Sequence, residues 1–146
     1  MLPSMKRLLP LVVLAGVLSA CGGLGGASAT PSGGLDGTSW TLVKIGDAEV
    51  TADAPPTLAF DEALSVSGFA GCNQYTGAAT IEGSSISLGP LATTQMACPG
   101  AAGIAETAFL AAMNEVQSFA IDSQGRLVLE DGVVLVFAPA EEPPAS

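Results

Sequence analysis

Between residues 38 and 137, apolar side chains mostly recur at every second position, in short runs cut by turn residues. That period belongs to strands with one buried face, so it confines the chain to a mainly β fold. Trp40 and Leu42 lie in a run at 38–45 rich in β-branched residues. Leu58 and Phe60 alternate with small neighbours, Asp61-Glu62 marks a turn, and Leu64 and Val66 alternate with Ser65 and Ser67. Gly68 and Gly71 bracket Phe69-Ala70 and predict a bulge or a close backbone approach. Residues 74–81 form a further strand, with a turn at Glu82-Gly83-Ser84 before the return strand carrying Ile86 and Leu88. A looser extended piece covers 91–96. Phe119 and Ile121, then Leu127 and Leu129, flank Asp122-Ser123-Gln124-Gly125, and Asp131-Gly132 is a hairpin signal. The run 133–137 is nearly continuously apolar, which predicts a central strand.

One stretch keeps a different period. After Pro99-Gly100, the residues Ile104, Ala105, Ala108, Phe109, Ala112, Met113 and Val116 recur at three- and four-residue steps. This predicts a helix with those residues toward the core and Glu106, Asn114 and Glu115 turned away from it. Many short strands and one helix predict a small antiparallel barrel or strongly curved sheet, with the helix packed on it or plugging an end.

The amino terminus carries a separate signal. Lys6 and Arg7 precede an apolar stretch at 8–18, too short to span a bilayer comfortably, followed by Ser19, Ala20 and Cys21. Leu18-Ser19-Ala20-Cys21 resembles the lipobox of bacterial lipoproteins, in which the cysteine becomes the first mature residue and carries lipid. Residues 1–20 are then a signal peptide and Cys21 the lipidation site. Two acyl chains suffice for stable anchoring at roughly 0.8 kcal/mol per buried methylene. The expected location is the cell membrane or outer membrane, on the extracytoplasmic side. Residues 21–34 read as a flexible Gly/Ser-rich tether, 35–138 as the folded domain, and 139–146 as a disordered tail. Without the leader, only Lys44 and Arg126 face the fourteen acidic residues. Such a surface disfavours nucleic acid as a partner. The expected partners are the membrane through the anchor, an envelope protein, or a small apolar ligand.

Cys72 and Cys98 remain as an even pair in an oxidising compartment. A disulfide between them contributes ~3.5 kcal/mol in the chain-entropy model. Two buried thiols or a redox pair are the competing readings, although the spacing is not C-x-x-C. The chain has no histidine, which removes Ser-His-Asp and Cys-His catalysis and the commonest metal ligand. No catalytic residue, metal site or cofactor is expected. The pairs Asp61-Glu62 and Glu130-Asp131 sit beside turns and read as solvated. The best candidate binding residues are Asn73, Gln74 and Tyr75, as a rim gripping a peptide or small ligand. The alternative is structural: Asn73 in a left-handed turn bonding nearby backbone, and Tyr75 packed into the barrel.

Three segments carry a family resemblance. Leu35-Asp36-Gly37-Thr38-Ser39-Trp40 followed by Leu42 resembles the start of a META domain, the family that includes the HslJ heat-shock lipoproteins. Gly68-Phe69-Ala70-Gly71-Cys72-Asn73-Gln74-Tyr75-Thr76-Gly77 resembles its G-x-x-G-C-N-x-Y-x-G core, and Thr93-Thr94-Gln95-Met96-Ala97-Cys98 its T-x-M-A-C segment. The resemblance implies a lipocalin-like antiparallel barrel interrupted by one helix. It also implies association with cell envelopes, stress and motility, without an established catalytic activity. The resulting expectation is a non-catalytic envelope lipoprotein that binds or supports structure. The alternatives are a small-ligand carrier with a cavity inside the barrel, and a protein-binding inhibitor of an envelope enzyme. Replacement of Cys21 by Ser is expected to leave an unprocessed precursor. In cells fed a fatty-acid probe, the wild type incorporates label and Cys21→Ser incorporates none.

Overall fold

The computed structural model describes residues 34–141. The leader at 1–20, Cys21, the tether up to residue 33 and the tail from 142 lie outside the described residues.

The alternating runs form strands that are antiparallel throughout. In chain order they are β1 (Ser39–Ile45), β2 (Ala48–Glu49), β3 (Thr57–Phe60), β4 (Ser65–Phe69), β5 (Gln74–Glu82), β6 (Ser85–Leu88) and β7 (Ala92–Thr93). The helix α1 (Ala101–Glu115) follows, then β8 (Ser118–Ile121), β9 (Leu127–Glu130) and β10 (Leu135–Pro139). The sheet runs β10-β9-β8-β6-β5-β4-β3-β1, and β10 also pairs with β1. Eight strands therefore close a barrel, with β2 as a short hairpin on β1 and β7 paired to the start of β5. Closure removes the free edges that would otherwise template pairing with another chain.

Alternation decides what lies inside. Trp40, Leu42, Leu58, Phe60, Val66, Tyr75, Ile81, Ile86, Leu127, Leu129, Leu135 and Phe137 are all buried in one cluster. β10 is central, between β9 and β1, and Leu135, Val136 and Phe137 are buried in succession, whereas Val133 and Val134 of the expected run precede the strand and Val133 is exposed. The helix joins this core through Phe109, Ala112 and Met113. The Phe109 ring lies 5.9 Å from Tyr75 of β5 and 6.4 Å from Phe137 of β10, tilted against both. Such aromatic pairs contribute about 0.5–1.5 kcal/mol beyond their buried area. Side chains thus fill the barrel and the helix plugs it.

The close approach expected at Gly68 is present. A Cβ there would collide with the Thr57 carbonyl, the same oxygen that accepts a 2.6 Å hydrogen bond from the Tyr75 hydroxyl. Two more boundaries differ from expectation. Leu64 is not in a strand but in a left-handed turn (φ 61°), because the Asp61 carboxylate accepts from the Ala63 and Ser65 amides and winds the chain there. The tail begins later than residue 139, since Pro139 pairs with Trp40 and the Ala140 amide donates to Ser39. Pro139 fits at a strand end, where its missing N–H breaks no ladder bond inside the strand. β2 escapes sequence reading because two residues cannot display a period.

Replacing Phe109 by Ala removes the ring that Tyr75 and Phe137 pack on. The expected loss is ~3–5 kcal/mol, seen as a lower urea midpoint at unchanged slope.

Candidate functional site

A network of polar residues converges on the loop between β4 and β5 where it meets α1. The loop is turned by Gly71, whose φ of 118° is open to glycine and strained for other residues. The turn presents the amides of Cys72 and Asn73 to the first half of the helix. Both donate to one oxygen of the Glu106 carboxylate, at 3.0 and 2.5 Å. The Asn73 side-chain amide donates to the other oxygen at 2.7 Å. Glu106 is 9% exposed, so this is a nearly buried carboxylate with three donors. Burial raises its pKa, but the Asn73 amide, the Asn73 side chain and the Cys72 amide together outweigh burial and hold it below its ordinary value.

Asn73 is the hub of this network. Its Nδ2 also lies 3.3 Å from the Met96 carbonyl and 3.4 Å from the Cys98 sulfur. Its Oδ1 accepts from the Thr94 hydroxyl at 2.9 Å and the Met96 amide at 2.7 Å. The orientation of the Asn73 amide follows, because a flip would set Nδ2 against two donors and Oδ1 against a carboxylate. The same two segments are joined covalently by the Cys72–Cys98 disulfide, with Cα atoms 6.2 Å apart. The pair is therefore neither two free thiols nor a C-x-x-C centre.

The expected site residues divide accordingly. Asn73 and Tyr75 are buried, and the polar atoms of both are engaged internally. Burial raises the Tyr75 pKa, so the phenol stays protonated and donates to Thr57. Gln74 alone of the three is exposed, at the first residue of β5. The left-handed residue of this turn is Gly71, not Asn73. Glu106 corrects the helix reading: it was expected on the solvent face and lies inside. Conversely Ile104, expected in the core, is 74% exposed, and Ala105 and Ala108 are also exposed. The buried stripe is Glu106, Phe109, Ala112 and Met113. Its spacing of three and four residues was readable, but only by admitting a carboxylate into it.

Donor atoms of Cys72, Cys98 and Glu106 lie within 4.8 Å of one another. The sulfurs are bonded to each other and both carboxylate oxygens accept N–H groups, so the cluster acts as a structural tie. The remaining turn acids lie apart from it. Asp61 accepts from the Ala63 and Ser65 amides, and Asp122 is paired with Arg126 at 2.7 Å. Glu130 and Asp131 are exposed. Among the described residues no helix is long and apolar enough to cross a membrane.

Comparison with known proteins agrees with this fold. The family model described as META domain matches residues 33–142. A protein from Burkholderia xenovorans solved by NMR is similar at 27% identity, with a TM-score of 0.63 over 77% of this chain and 90% of that one. A second NMR structure matches at 22% identity and a TM-score of 0.60, covering 74% of this chain and 92% of that one. A crystal structure of a DUF4847 family protein from Bacteroides vulgatus shares the fold at 13% identity and a TM-score of 0.56, covering 78% and 100%. No curated protein matches the chain.

Glu106→Gln puts an amide nitrogen where Asn73 already donates. A loss of ~2–3 kcal/mol at neutral pH is expected from the broken charge-assisted bonds. The pH dependence follows from the lowered pKa. The ionised Glu106 contributes fully above its ordinary 4.5 and loses that contribution as pH falls through the folded value. Asp61 and Asp122, held low chiefly by the Ser65 and Arg126 amides, act in the same direction. Denaturation of wild type and Glu106→Gln between pH 7 and about 2 is expected to converge toward the acid end.

Proposed function

This chain belongs to the META domain family, and from that premise we propose that it is a non-catalytic lipoprotein of the bacterial cell envelope. Cys21 holds it by lipid on the extracytoplasmic side of the cell or outer membrane, and the barrel binds or braces envelope components under stress. The observation that carries the non-catalytic reading is the state of the polar groups. Glu106, Asn73, Thr94 and the Tyr75 hydroxyl, the groups that converge, are spent on one another and on backbone. A catalytic acid, base or nucleophile needs a free lone pair or proton facing a substrate.

Two further features support the address. A disulfide between Cys72 and Cys98 suits an oxidising compartment. A sequence with four basic residues, two of them in the leader, leaves an acidic surface that stands off anionic lipid on its tether. Binding of a small apolar ligand is favoured as the second reading by a groove beside α1. It does not use the barrel interior, where Tyr75, Phe109 and Phe137 occupy the space.

Deleting the gene is expected to sensitise cells to detergent and to large apolar antibiotics. A wild-type copy restores growth and Cys21→Ser does not. Unchanged sensitivity of the deletion strain refutes the envelope role, and full rescue by Cys21→Ser refutes the anchored mechanism.

A further inference from the structure

We infer that the groove between α1 and the segment 50–56 binds one neutral, largely hydrocarbon molecule, with a single uncharged acyl chain as its ligand class. The inference rests on the reading of the barrel as a binding module and names what it binds.

The groove is concave, with a volume of about 440 Å³. Small-ligand sites range over roughly 300–1,000 Å³ with mainly apolar walls. Leu42 and Ile45 of β1 and Val50 form one wall, Ala105 and Ala108 of α1 the other, and Phe109 lies between them. The alanines matter by their size. Exposed residues on a surface helix of an acidic protein are ordinarily charged, yet from Ala101 to Ala111 the only charged residue of α1 is Glu106, and it is turned inward. The helix therefore offers this groove methyl groups and no competing side chain.

Charge selects the class of ligand. Among the described residues no Asp, Glu, Lys or Arg lines the groove, and Asp53, within the segment 50–56, is exposed and outside the lining. A bound carboxylate or phosphate would lose water without meeting a cationic partner, and the acidic surface around it would repel it. A bound ammonium would find no anion within the groove. A neutral chain loses nothing of this kind and gains the transfer of its methylenes from water, roughly 0.8 kcal/mol each. Thr51 is the one lining residue with a side-chain hydroxyl. A wider cleft on the adjoining face of α1, about 800 Å³, shares Ala108 with the groove but is also lined by Cys98, Glu106 and Thr107, so it lacks this uniform apolar character.

The test uses the complete mature chain from residue 21 carrying Cys21→Ser, so that no attached lipid competes. The probe is N-phenyl-1-naphthylamine, a neutral hydrophobic fluorophore. Saturable fluorescence enhancement at one site per chain is expected, with displacement by monolaurin about tenfold more effective than by laurate, an anion of the same chain length. Ala105→Trp fills the groove and is expected to weaken binding at least about tenfold, whereas Ala111→Trp, which lines the wider cleft, changes it by less than about twofold. Both positions are exposed, and thermal melts verify that the fold is kept. As a second measurement, amide shifts on addition of probe are expected in 45–56 and 101–109. Absence of saturable binding, equal effects of the two tryptophans, or shifts confined elsewhere overturn the site. Equal displacement by laurate overturns the neutral class. None of these outcomes depends on the anchor or on envelope stress, so the proposed envelope role stands or falls separately.

Discussion

The carboxylate of Glu106 sits where three otherwise separate parts of the chain meet: the helix, the β4–β5 loop and the segment bearing Cys98. Removing a charge from water costs several kcal/mol unless donors replace the lost hydration. Here the Cys72 and Asn73 amides and the Asn73 side chain replace it, and the lowered pKa shows that they outweigh the burial. The dependence is mutual. Without the carboxylate those N–H groups lose their acceptor; without the turn at Gly71 they do not point at it. Phe109 lies three residues along the same helical face, so one face of α1 presents the carboxylate to the loop and the aromatic ring to Tyr75 and Phe137.

The disulfide and the hydrogen-bond network act on different states. The covalent bond restricts the unfolded chain by closing a loop of 26 residues in sequence separation. The network acts in the folded state, by fixing how loop and helix meet. Asn73 joins the two systems, since it contacts Glu106 on one side and Thr94, Met96 and Cys98 on the other. A modest domain gains from such a tie, because a barrel of this size buries a limited core.

Most strands are legible because they turn one face to the core: Trp40 and Leu42, Leu58 and Phe60, Ile86 and Leu88, Leu127 and Leu129 are buried as their alternation requires, whereas in β8 Phe119 is only half-buried and Ile121 is exposed. The helix was legible as a helix, but its orientation was not. Alanine at 101, 102, 105, 108, 111 and 112 makes almost every face apolar, so periodicity defines no unique stripe. Charge as a marker of the solvent side places Glu106 outside, and the structure places it inside. The missing information is tertiary. Only the β4–β5 loop, thirty-four residues away in sequence from Glu106 at Cys72, supplies the donors that make a buried carboxylate tolerable. Pairing of Cys72 with Cys98 was equally open, since spacing says nothing about whether two Cβ atoms approach.

The structural roles of the motif residues redirect the search for function. Gly68 permits the approach of Thr57, Gly71 makes the turn, Cys72 and Cys98 form the bridge, Asn73 satisfies Glu106, and Tyr75 bonds Thr57 from within the core. Each explains the fold, and a buried group already hydrogen-bonded is a poor site for recognition, because a ligand would have to break that bond first. Gln74 is the one exposed member of the predicted binding triplet and stands alone. On the proposed binding role, recognition falls to a concave surface with no charged lining residue among those described, to which the motif contributes only Gly71. The groove framed by Leu42, Val50, Ala105 and Phe109 is that surface, and the Glu106 carboxylate stays out of it because it is held by Asn73.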